Sequence, residues 1–290
     1  MIRIAVFLAS TVLLALLFGA RSADSRVADP IRVDWLTNEA VADARAADAA
    51  LEAVETLMRD ATDEARRGQA AVLGGADDPT AALEAAGLGF EAAAAPLADA
   101  HAAFVVLRWT LRAIDPQESS PQLGLLPADL VDIGAQWRAA ALPSAALTDM
   151  RRQAESTLEA LSNGLAALDA DDPSAALDAM DRATGHLEHV RDFSSQPSTL
   201  GYWIDTVAAL IDAARDIALA AQAGDAAALA AARAAYDAAA TNAGRADQAL
   251  TIALGEAATA ITSPASASSA AALRAVGAAR DQLDGLSILR

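Results

Sequence analysis

The chain has 290 residues, of which 54% are hydrophobic and 4% aromatic, and its formal net charge is −18. This charge argues against nucleic acid and anionic lipid as partners, and the absence of cysteine excludes disulfides, thiolate metal sites and a lipoprotein anchor. Much of the apolar content is alanine, the best helix former, so the composition predicts an all-α fold.

The charged residues are biased in kind as well as in sign. All basic residues are arginine, and aspartate outnumbers glutamate. Two origins account for this bias. An acidic shell keeps proteins soluble in a high-salt habitat, and a GC-rich genome encodes alanine, arginine, glycine and aspartate in excess. Composition alone leaves both origins open.

The first predicted element is a hydrophobic N-terminal helix. A short basic start precedes an uninterrupted apolar run from Ile4 to Ala20, which indicates a signal peptide or signal anchor over residues 1–22. A run of this length spans about 26 Å as a helix, close to the thickness of a bilayer core. The weak cleavage signal favours an uncleaved anchor, with secretion after cleavage as the alternative. We expect the body to be extracytoplasmic (periplasmic or extracellular), although arginines just after the run leave a cytoplasmic body open.

The rest of the chain divides by composition and periodicity. Residues 23–37 are predicted to be a juxtamembrane linker, and residues 38–262 an alanine-rich helical bundle. Residues 263–269, a stretch of small polar residues, are predicted to be a linker. Residues 270–290 then form a C-terminal helix that packs on the bundle. We expect about eight helices beyond the N-terminal segment, built from antiparallel helical hairpins.

Prolines and aspartates mark the predicted helix ends. Asp78 and Pro79 are typical of an N-cap followed by proline at the first helical position. Pro96 is predicted to break or kink its helix, and Pro143 to separate a short helix at 128–141 from a long one. A single helix is expected over 225–262.

Three segments share one turn pattern, an aspartate cap before an alanine-rich first turn. They are DDPTAALEA (77–85), DDPSAALDA (171–179) and the weaker AGDAAALAA (223–231). The second copy is similar to part of a tetratricopeptide repeat, but the copies lie 94 residues apart (77 to 171) and 53 apart (172 to 225), whereas that family has a fixed period of about 34. We therefore assign no repeat family. Duplication of a hairpin and convergent alanine-rich turns both stay open.

One predicted helix, over 97–114, is apolar nearly all round, with Trp109 on the side away from its main apolar stripe. This pattern is typical of a central bundle helix, and a partner-binding ridge is the alternative. The proline-rich loop that follows ends in an apolar LGLLP run, and Trp137 lies in the next short helix. The candidate partner-binding residues are Trp109, positions 124 and 125 (Gly124 and Leu125) and Trp137.

The only candidate metal ligands with a suitable spacing are His186 and His189. On a helical wheel they fall away from the apolar stripe, and no third ligand lies within reach on their own helix. We therefore predict no metal site and no cofactor, with this histidine pair as the residual candidate. The chain also lacks the Glu-x-x-His pairs of di-iron bundles, the G-x-S-x-G motif and the phosphate-binding glycine motifs.

These observations favour a membrane-tethered, extracytoplasmic helical scaffold or protein-interaction module of the cell envelope over an enzyme. Its expected partners are another envelope protein and, through the N-terminal helix, the membrane. An exported protein that binds a ligand or metal is the alternative, and an enzyme with an unrecognised site is a third hypothesis. The sequence leaves the partner's identity and the oligomeric state open.

Overall fold

The computed structural model describes residues 30–74, 78–114, 129–193 and 198–286, and all regular structure in them is α-helical. The helices are α1 (Pro30–Gly74), α2 (Thr80–Ile114), α3 (Leu130–Asp169), α4 (Pro173–Arg191), α5 (Ser198–Ala223), α6 (Ala226–Ala240) and α7 (Ala243–Asp284). Chain neighbours pack as helix pairs, most extensively α1 with α2 and α3 with α4. The all-α prediction is confirmed for these residues. The signal segment predicted at 1–22 lies outside them.

Three prolines lie inside helices, at Pro96 in α2, Pro143 in α3 and Pro264 in α7. The helix break predicted at Pro143 and the linker predicted at 263–269 are therefore wrong, and α2 continues past Pro96. An interior proline removes one backbone hydrogen bond and costs about 3 kcal/mol. Here Pro143 and Pro264 lie on the exposed side of their helices, and buried residues on both sides of each proline hold the helix together.

Two other helix ends differ from the predictions. The single helix expected over 225–262 is divided, because α6 ends at Ala240 and α7 begins at Ala243. Thr241 and Asn242, between them, have weaker helix propensity than the flanking alanines. Helix α1 begins at Pro30 rather than Asn38, so it includes part of the predicted juxtamembrane linker. These differences give seven helices in the described residues, where about eight were expected.

The shared turn pattern does act as a helix start in all three copies. A carboxylate oxygen of Asp78 accepts a hydrogen bond from the backbone N–H of Thr80 at 2.9 Å. Asp172 accepts one from Ala175 at 3.0 Å, and Asp225 accepts from two N–H groups at 3.0 Å each. Each aspartate thus satisfies donors that the first helical turn leaves unpaired, as an N-cap does.

The buried residues of the described ranges form two hydrophobic clusters. Cluster 1 joins α1, α2, the start of α3 and the last part of α7. Cluster 2 joins the rest of α3 with α4, α5, the first part of α7 and Val72 near the end of α1. Helix α3 passes from cluster 1 at Ala141 to cluster 2 at Leu147, and α7 passes back from Ala258 to Ala265. Pro143 falls in the first of these crossings. Pro264 falls in the second, so α3 and α7 each carry a proline where they pass between the clusters.

Polar contacts fix α7 antiparallel to α1. Gln69 donates to the Ser266 hydroxyl at 2.9 Å. Arg280 binds the carboxylates of Asp48 and Glu55, at 3.1 and 2.7 Å. Asp48 lies 18 residues after Pro30, so about 27 Å of α1 precede it. Because α7 ends one turn beyond Arg280, the start of α1 extends past the end of α7.

Candidate functional site

The two histidines of α4 have separate surroundings. His186 is half-buried, and its Nδ1 atom lies 2.8 Å from Oε1 of Gln153 on α3. His189 is exposed, and its Nδ1 atom lies 2.7 Å from the carbonyl oxygen of Gly185. Across the described ranges no group of three or more histidine, aspartate or glutamate side chains is placed to hold a metal ion.

Trp137, one of the candidate partner-binding residues, lies in cluster 1 rather than on the surface. Its side chain is only 2% exposed, and its Nε1 atom donates a hydrogen bond to the Ser269 hydroxyl on α7 at 2.9 Å. The assignment of Trp137 to a partner surface is therefore corrected. The two loop positions, Gly124 and Leu125, lie outside the described residues.

Trp109 has the opposite placement. It is 70% exposed near the C-terminal end of α2, and Val105, one turn earlier, is 47% exposed. Helix α2 packs on α1 and α3, but its outer face at this end is uncovered. The central-helix interpretation preferred from the sequence therefore fails here. By length and composition α2 is the one helix of the described part of the chain that could cross a membrane, although a third of its most apolar window is buried.

Two arginines flank Trp109 on the same side of the helix. Arg108 and Arg112 are exposed, and within the described part of the chain neither forms an ion pair. Val105, Arg108, Trp109 and Arg112 are spaced for one helix face, and we call these four residues the Trp109 ridge. Residues 100–114 contain both arginines and no acidic residue, in a chain whose net charge is −18.

A second exposed apolar face lies on α3 and was missed in the sequence. Val131 is 50% exposed and Leu142 is 78% exposed, and Ala135 and Ala139 between them are exposed too. Their spacing puts all four on one side of the helix, and we call them the α3 stripe. The break expected at Pro143 hid this pattern, because it left Leu142 outside the short helix.

Beside the α3 stripe, on the same helix, lies a charged residue that is paired with the adjacent helix. The Arg138 guanidinium forms a salt bridge with Glu91 of α2. At the same crossing, Gly87 of α2 and Gly134 of α3 bring the two backbones close together, since a Cβ atom added to Gly134 would lie 2.5 Å from the Gly87 carbonyl oxygen. The stripe thus stands on a helix that is held firmly against the bundle.

A cavity of about 340 Å³ lies where α1 ends against the middle of α7. It is lined by Gln69, Val72, Leu73, Ala258, Thr259, Thr262, Ser263 and Ser266. Thr259 and Thr262 donate their hydroxyl hydrogens to carbonyl groups of their own helix, which leaves the hydroxyl oxygens free to accept. None of the lining side chains is charged, so the cavity suits a small neutral molecule.

Asp43, at the contact between α1 and α2 near the Trp109 ridge, carries a charge that its surroundings disfavour. Partial burial raises the pKa of Asp43, a hydrogen bond from Thr110 (3.3 Å) opposes this shift, and the negative charge of Glu39 adds to it. A raised pKa in the folded state means that ionisation of Asp43 lowers the stability of the protein. The stabilisation that Asp43 contributes is therefore full below its unfolded-state pKa, and it is lost as the pH rises through its folded-state pKa.

We therefore expect Asp43→Asn to stabilise the protein at pH 7 by at most about 0.5 kcal/mol, because the amide oxygen can still accept from Thr110 without carrying a charge. The gain should disappear near pH 3, where Asp43 is protonated in both states. Thermal unfolding at the two pH values measures it. At each pH the stability of Asp43→Asn is compared with that of the parent. A smaller gain at pH 7 than at pH 3 would contradict the role assigned to burial.

The described surface thus presents two exposed apolar faces and one uncharged cavity. Comparison of the chain with protein-family models, with curated proteins and with solved structures gives no significant match.

Proposed function

We propose that the protein is a membrane-tethered, non-enzymatic scaffold of the cell envelope, which binds another envelope protein through the α3 stripe. The observation that carries this proposal is the exposure of Leu142 and Val131 in line on a helix that is otherwise well packed. Burying a leucine side chain contributes about 1.5–3 kcal/mol. Four aligned apolar residues can therefore anchor a partner, whereas single scattered ones are normal on any surface.

The geometry favours an amphipathic helix as the element that the partner supplies. The stripe follows the helical spacing over three turns, so a partner helix can lie along it with its own apolar residues three and four apart. The salt bridge between Arg138 and Glu91 supplies a polar rim to such a contact. The net charge of −18 disfavours a strongly acidic partner, so its rim is expected to be neutral or basic.

The proposed tether rests on the sequence before the bundle. The apolar run from Ile4 to Ala20 is long enough to hold the chain in a membrane, and only nine residues separate it from the start of α1 at Pro30. In this proposal the bundle lies outside the cytoplasm. N-terminal sequencing of the chain recovered from its own membranes tests the tether, because an intact start supports an anchor and a start near residue 23 indicates cleavage and secretion.

Site-directed photo-crosslinking in native membranes tests the scaffold role. We expect a photoreactive residue at position 142 to form a discrete adduct with one protein, and Val131→Asp to abolish that adduct by placing a charge in the contact. Leu219 on α5, which is also exposed, provides the matched control position. Equal and diffuse labelling from positions 142 and 219 would count against a partner on the α3 stripe.

A ligand-binding function is the second candidate, and the cavity between α1 and α7 is the observation that favours it. Its volume is at the lower end of the range of about 300–1,000 Å³ that is usual for ligand sites, and apolar walls with a few polar groups are typical of them. Native mass spectrometry of the protein purified from its source tests this function. A bound small molecule should be present in the parent and absent in Ser266→Phe, which fills the cavity.

A further inference from the structure

We infer that the Trp109 ridge lies on the phospholipid headgroups of the membrane that holds the N-terminal segment. This inference rests on the proposed tether but not on the α3 stripe, which it leaves free for a protein. The ridge combines the groups that favour the boundary between lipid and water: an exposed tryptophan, an exposed valine and two arginines.

The position of the ridge in the fold brings it within reach of a membrane. The hydrogen bond between Thr110 and Asp43 places the ridge beside a point 13 residues after Pro30, about 20 Å along α1. The nine residues between Ala20 and Pro30 can span at most about 32 Å. The length of the tether therefore allows the end of the bundle that carries Trp109 to lie against the bilayer.

The chemistry of the ridge fits a headgroup layer better than the surface of a second protein. Tryptophan is enriched at membrane interfaces because its ring is apolar and its N–H is polar. The guanidinium groups of Arg108 and Arg112 make no ion pair in the described part of the chain, and arginine matches phosphate oxygens with two parallel hydrogen bonds. Their long side chains can reach phosphate while Val105 and Trp109 lie deeper.

The charges around the ridge decide which lipid surface it suits. Asp99 on α2 lies nine residues before Arg108, about 13 Å along the helix. Asp43, which binds Thr110, and Glu39 lie on the facing helix. Asp115 follows directly after α2 in the sequence. Together with the net charge of −18 these acids oppose a strongly anionic membrane, so the contact is with the phosphates of a zwitterionic phospholipid.

Because the chain contains no cysteine, one nitroxide label can be placed at any chosen site. We would label the full-length chain at Val105→Cys and, as a control, at Leu142→Cys, and reconstitute each into phosphatidylcholine vesicles. Collisions with oxygen, which concentrates in lipid, are compared with collisions with a water-soluble nickel complex.

We expect a several-fold higher ratio of oxygen to nickel accessibility at position 105 than at position 142. Replacing both Arg108 and Arg112 by glutamine should return position 105 toward the ratio at position 142.

The outcomes separate this inference from the proposed function. If the chain floats with the vesicles but position 105 is as water-exposed as position 142, the ridge contact is wrong and the tether stands. If the chain does not float with the vesicles, both the tether and the ridge contact are wrong. A protein adduct from a photoreactive residue at position 109 in native membranes would also overturn the lipid contact, and would extend the scaffold surface to α2.

Discussion

Replacing Trp137 by alanine is expected to lower the free energy of unfolding by about 3–5 kcal/mol. The side chain is among the largest fully enclosed ones, and its removal leaves a cavity between α3 and α7 and removes the hydrogen bond to Ser269. Denaturant unfolding, followed by helical circular dichroism, measures the change. Trp137→Phe should cost less, since it keeps most of the apolar volume.

Trp109→Ala is the matched control for this variant, since it deletes the same side chain from a site that is 70% exposed. We expect a change within about 0.5 kcal/mol, as for other surface substitutions. Similar losses for the two alanine variants would show that the packing of α3 on α7 is not as described.

Gly134→Ala is expected to destabilise the protein by about 2 kcal/mol, although alanine is normally the better helix residue. The added methyl group would meet the Gly87 carbonyl oxygen at 2.5 Å, and this neighbour is backbone, which can give way only if α2 and α3 separate. Thermal unfolding of the purified protein measures the effect.

Gly255→Ala in α7 is the matched control. It makes the same chemical change in a helix interior, and a Cβ atom there meets nothing within 4 Å. This variant should gain up to about 1 kcal/mol, because alanine restricts the unfolded chain and favours the helix. The two substitutions should therefore have opposite signs, and a gain for both would contradict the close helix crossing.

Helix content and the aspartate caps could be predicted because they depend on local sequence. Asp172 and Asp225 cap their helices through atoms only two or three residues away. The continuity of α3 and α7 through Pro143 and Pro264 could not be predicted in this way. It depends on burial against distant helices on both sides of each proline, and proline alone favours a break.

The candidate partner surfaces also depend on distant parts of the chain, which local sequence does not reveal. The sequence makes both Trp109 and Trp137 candidate partner contacts, whereas the structure exposes Trp109 and buries Trp137. Periodicity shows which residues share a helix face, but which face is covered depends on the neighbouring helix. The partner of Trp137 is Ser269, 132 residues later in the chain, and no local pattern links the two.

Because α7 closes cluster 1, it affects when the protein can fold during its synthesis. Arg280 binds Asp48 and Glu55 across more than 220 residues, so the face of α1 that α7 covers stays uncovered until residue 280 has been synthesised. During synthesis, α1 and α2 can pair early, while their remaining apolar surface stays open to aggregation. The bundle therefore closes only after the residues of α7 have been synthesised.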